Sequence, residues 1–124
     1  MTTHQETALS WPIRATEDLS GAKNKFVTIG GTIAQAASGR AVAGLNVSNV
    51  GSGYNHQVVF SGINKAYVGA AVTSVGWPAS VANSGWLTNA TSGGLVVGRF
   101  LAAASSGDLV EVVIDTTGAG IVLA

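Results

Sequence analysis

From Lys25 onward the chain alternates short apolar runs with Gly, Asn and Ser, the breaks falling every ~8 to 12 residues as in all-β folds. Runs at 25–29, 41–47, 57–60, 65–68, 95–101, 108–114 and 120–123 are rich in Val, Ile and aromatic residues and end in turn formers, so each predicts a strand. Helix signals are weak. The Ala-rich stretches at 34–37 and 102–104 are closed by Gly or Ser within a turn or two. The pattern predicts an all-β fold, a small barrel or sandwich.

The beginning of the chain reads differently. Half of the twelve charged residues fall within the first 25 positions, whereas sixteen of the seventeen glycines come after them. Residues 1–24 therefore predict an extended polar N-terminal arm, and 25–124 a single β domain. Trp11-Pro12-Ile13 is an apolar knot inside this arm. Two placements suit it: tucked onto its own domain, or anchoring the arm on a neighbouring protein.

A direct repeat lies within the β domain. Sliding the chain by 54 residues sets 31–62 against 85–116 with ten identities in 32 positions, among them Gly31/Gly85, Gly44/Gly98, Gly53/Gly107, Val58/Val112 and Val59/Val113. Two related units of about 54 residues, each covering the other's apolar face, would make one small core.

Composition changes the picture mainly at the surface. Charged residues are 10% of the chain, against about 25% in an average soluble domain. Much of the surface must then be Ala, Gly, Ser, Thr and Asn, which meets another protein with little charge desolvation. Net charge is zero and the six basic residues are scattered, which argues against nucleic-acid binding. No run approaches the ~18 apolar residues of a membrane-spanning helix. The polar opening Met-Thr-Thr-His-Gln-Glu does not resemble a signal peptide. With no Cys, disulfides and thiolate metal sites are excluded.

Candidate chemistry is sparse. The two histidines, His4 and His56, are isolated, and a solvent-facing or interfacial role is the expectation for His56. Beyond the arm the only acids are Asp108, Glu111 and Asp115. On one strand Glu111 and Asp115 share a face ~13 Å apart, wider than the roughly 5 to 9.5 Å of a glycosidase pair. No cluster of His, Asp or Glu suggests a metal, and the Gly-rich stretches lack the Lys-Ser/Thr of a phosphate loop. No enzyme, cofactor or metal site is expected. Trp77 and Trp86 bracket one loop and are read as a barrel plug or a subunit contact, with a carbohydrate-binding platform as the alternative.

The order of motifs along residues 23–118 resembles the phage capsid-decoration (cement) proteins. The likeness is carried by Lys25-Phe26-Val27-Thr28-Ile29, Ala41-Val42-Ala43-Gly44-Leu45, Val58-Val59-Phe60-Ser61-Gly62, Lys65-Ala66-Tyr67-Val68 and Gly98-Arg99-Phe100 with the Ala/Ser-Gly-Asp-Leu-Val-Glu-Val run after it. The resemblance implies a homotrimer on the outside of the virion that binds the major capsid protein and stabilises the expanded head. It also implies that the arm, with Trp11, Pro12, Ile13 and Arg14, touches the capsid. A trimeric tail or fibre module is the rival reading.

Overall fold

The computed structural model describes residues 9–35, 42–72, 74–90, 95–116 and 121–122. Among them the strands are β1 (Leu9–Arg14), β2 (Phe26–Thr28), β3 (Val42–Asn46), β4 (Asn55–Tyr67), β5 (Pro78–Val81), β6 (Leu87–Asn89), β7 (Leu95–Val96), β8 (Gly98–Phe100), β9 (Leu109–Asp115) and β10 (Ile121–Val122), with one 3-10 turn at Asn83–Gly85. The main sheet runs β2-β3-β4-β9-β8-β5-β6, with β1 also on β4, and it curls into a nearly closed barrel. β7 and β10 pair separately.

The 54-residue offset relates structural features as well as letters. β3 and β4 stand to each other as β8 and β9 do. Gly44 lies so close to β4 that an added Cβ would sit 2.2 Å from the Val59 carbonyl oxygen, and at Gly98 the same Cβ would sit 2.1 Å from that of Val113. The turns before β4 and β9 match too, with Gly53 at φ 90 and Gly107 at φ 91. The bridge Val27–Ile33 corresponds to the β5–β6 pair Val81–Leu87.

The correspondence reaches back before residue 31, with β1 standing 53 instead of 54 residues before its counterpart in β4. β1 pairs with the first half of β4 (Ile13 opposite His56, Arg14 opposite Asn55) as the second half of β4 pairs with β9 (Ala66 opposite Val110, Tyr67 opposite Leu109). The strand β4 therefore serves both units, ending the first and opening the second. Two apparent strands at 57–60 and 65–68 are one because Ser61 and Gly62, which look like a turn, keep their ladder partners Asp115 and Ile114. The predicted strand at 95–101 is instead split at Val97 into β7 and β8.

Each unit has its own core. Ile13, Ala15, Leu19, Ala22, Val27, Ala43 and Val58 fill the first. Val68, Leu87, Phe100, Val110, Val112 and Ile114 anchor the second, and Phe26, Leu45 and Val59 from the first unit join them. The segment after β1 therefore lies on the body: Ile13 and Leu19 are buried while Arg14, Glu17 and Asp18 face out. From residue 9 the expected arm is extended but packed, because its apolar side chains have a core to enter. Residues 1–8 lie outside the described residues.

Candidate interaction surfaces

Trp11 and Ile13 share one face of β1. Ile13 enters the first core, and Trp11 packs on Phe60 with ring centroids 5.2 Å apart. The apolar knot therefore takes the first of its two expected placements, while Trp11, Pro12 and Arg14 keep exposed surface. Pro12 suits an outer strand, where a missing N–H breaks no ladder bond.

The two other tryptophans do different things. Trp77 is exposed on the approach to β5, its Nε1–H donating to the Ala90 carbonyl at 3.4 Å. Trp86 stacks on Tyr67 at 5.8 Å, and the Lys25 ammonium lies 5.8 Å from its ring centre. Together with Lys23, Asn24 and Asn49 these residues line a cleft of about 490 Å³ at the seam between the units. Tyr67 and Lys25 occupy the neighbourhood of the Trp86 ring, which makes it a poor open platform for a sugar.

His56 departs from expectation. It is 2% exposed, with Nδ1 3.0 Å from Asn46 Oδ1. Its Nε2 and the Asn46 Nδ2 have no hydrogen-bond partner, and burial holds its pKa below the usual histidine value. At the matching positions of the second unit stand Val110 and Phe100, both buried. His56 and Asn46 are thus a polar pair in an otherwise apolar site. Sequence reasoning missed the pair because Asn46 lies on another strand, and the 54-residue register offered the signal, since both equivalents are apolar.

Outward-facing side chains gather on the second half of β4 and on β9. Ile63 lies opposite Val113, Lys65 opposite Glu111 and Tyr67 opposite Leu109. Strand β9 alternates strictly, exposing Leu109, Glu111, Val113 and Asp115 and burying the residues between. Among the described residues no three His, Asp or Glu side chains come together as a metal site would need.

No family model matches the chain, and no curated protein matches it. Among solved structures it is similar to the crystal structure of the head fiber gp8.5 N base in bacteriophage phi29, with a TM-score of 0.61 and 21% identity. The likeness covers 88% of this chain and 95% of that one. At this identity what is shared is the fold.

Proposed function

We propose that this chain is a structural protein of a phage virion. It sits on the outside of the expanded head, binds the major capsid protein and stabilises the shell as a homotrimer. The observation that carries this reading is the fold likeness to a phage head fiber base over nearly the whole of both chains. The surface supports it: few charges, many small residues, and exposed Trp11 on an outer strand. Three weak contacts presented by one trimer add up to firm attachment on a many-copy shell.

The test is co-sedimentation with expanded, undecorated heads. The protein is expected to pellet with heads at saturable stoichiometry and to raise the temperature at which they release DNA. Absence of pelleting defeats the reading. Removing residues 1–20 is a poor test of contact, since it strips Ile13, Ala15 and Leu19 from a core. Trp11→Ala and Arg14→Ala are the better probes of the contacting edge, because both side chains are exposed.

A second reading, a base module that seats a fibre on the virion, is favoured by the neighbour being described as the base of a head fiber. Electron microscopy of decorated heads separates the two. A low knob flush with the shell supports decoration, and binding that occurs only with a fibre protein present supports the base.

A further inference from the structure

The cleft at the seam between the units carries charge that the fold does not use. Lys23 and Lys25 both line it, and among the described residues neither forms an ion pair. Asp18, the closest acid before Lys23 in the chain, accepts instead from the Ser20 N–H at 3.0 Å. Asp108, whose carbonyl takes the Val68 N–H beside Tyr67, turns its carboxylate to the Ser105 N–H at 3.1 Å. Nor does the repeat need the two cations. The positions 54 residues on hold Trp77 and Ala79, where β5 forms without a lysine.

The groups around the lysines define what the cleft can take. From Ala22 to Lys25 every backbone N–H is already bonded, in turn to Leu19 O, Asn49 Oδ1, Asn46 O and Ala22 O. The loop therefore offers no run of free N–H groups, the nest with which a backbone cradles phosphate. Asn49 spends its Oδ1 on the Lys23 N–H, which leaves the NH2 end of its amide as a donor. Across the cleft Trp86 and Tyr67, both half-buried, stack at 5.8 Å and form an apolar wall. The Lys25 ammonium lies 5.8 Å from the Trp86 ring centre, so charge and wall address the same place.

We infer that this cleft binds a carboxylate side chain, Asp or Glu, on an acidic segment of a partner protein. The ammoniums and the Asn49 amide take the carboxylate oxygens, and the rings of Trp86 and Tyr67 cover the methylenes that carry them. Two point charges with neither an arginine fork nor a nest suit a singly charged group better than a phosphate. A neutral sugar would leave both ammoniums without a counter-charge. At about 490 Å³ the cleft holds more than one side chain, so its occupant is a stretch of peptide and not a free ion. The inference goes beyond the virion reading and does not rest on it, because it names the chemistry of a contact whichever protein supplies the acid.

The experiment is a fluorescence titration of the full chain carrying Trp11→Phe and Trp77→Phe, in which Trp86 is the only indole left. The probes are a short capped peptide of glutamates, the glutamine peptide of the same length, and inorganic phosphate. The glutamate peptide is expected to change Trp86 emission saturably, with an affinity that falls as salt is raised. Lys23→Gln and Lys25→Gln should each weaken it about threefold to fivefold, the weight of one partly exposed ion pair. Lys25→Arg should keep most of the affinity, and Arg99→Gln, which removes one charge outside the cleft, should keep all of it. Should Lys25→Gln melt early, Lys23→Gln, at an exposed side chain, carries the test. The inference is overturned by no response, by an equal response to the glutamine peptide, or by phosphate binding as tightly as the glutamates. A loss in Arg99→Gln as large as in Lys23→Gln overturns it too. Binding by a chain that never pellets with heads leaves the inference standing and defeats only the virion reading, and pelleting without a peptide response does the reverse.

Discussion

At the scale of single residues, the repeat makes its sharpest predictions where the backbone leaves no room. Gly44 and Gly98 meet the carbonyl oxygens of Val59 and Val113 so closely that a methyl group forces neighbouring strands apart. Gly44→Ala and Gly98→Ala are each expected to cost about 3 kcal/mol in denaturant unfolding, the upper end for overpacked sites. Comparable losses at both positions would confirm their equivalence, and a near-neutral Gly98→Ala would count against it. His56 gives a prediction in pH. Burial lowers its pKa in the folded chain below the ordinary 6.5, so the unfolded chain binds its proton more readily. The contribution is fully present above the unfolded value and is lost as pH falls from there toward the folded one, at up to about 1.4 kcal/mol per pH unit. Thermal melts between neutral and mildly acid pH should fall accordingly. His56→Val, which copies Val110, should flatten that pH dependence, although it leaves Asn46 Oδ1 one partner short and lowers stability at neutral pH.

At the scale of elements, β1 is the instructive case. Ile13→Ala, at a buried position, is expected to destabilise by about 2 to 4 kcal/mol. Arg14→Ala, exposed beside it, should stay within about 0.5 kcal/mol. Equal and negligible effects would mean that the segment does not pack on β4. In the sequence this strand was hidden by its company: Arg14, Glu17 and Asp18 give the stretch a solvated look, while Ile13, Ala15 and Leu19 are too widely spaced to form an apolar run. The strands with dense β-branched alternation, such as Leu109–Asp115, were legible because a half-buried strand forces period two. Strand β5 was missed because Trp77-Pro78 opens it, and Pro reads as a break even though it fits the first residue of a strand. Ser61-Gly62 concealed the length of β4, since propensity sees a turn where tertiary pairing with β9 holds the ladder straight. Of the candidate surfaces, Trp11 and Trp86 could be singled out by residue type alone. Their partners, Phe60 and Tyr67, come together only through strand register.

At the scale of the molecule, the question is whether two related units behave as two domains or as one. Two features tie them together. Strand β4 runs through both, and Phe26, Leu45 and Val59 of the first unit complete the core of the second. Neither unit can unfold alone without exposing apolar surface that the other needs, so unfolding is expected to be a single cooperative transition. The tryptophans provide local reporters, Trp11 on the first unit and Trp77 and Trp86 on the second. In Trp11→Phe the fluorescence follows the second unit and its seam with the first, and in Trp77→Phe/Trp86→Phe only the first. Each set of variants should melt at one midpoint, the same by fluorescence and by circular dichroism. Adding Leu45→Ala to either background should lower that midpoint by about 10 °C, from a loss of about 2 to 4 kcal/mol in a domain of this size. A shift confined to one reporter would show that the units fold separately. A common shift would mean that the first unit's outer face is part of the second unit's core, as its burial indicates.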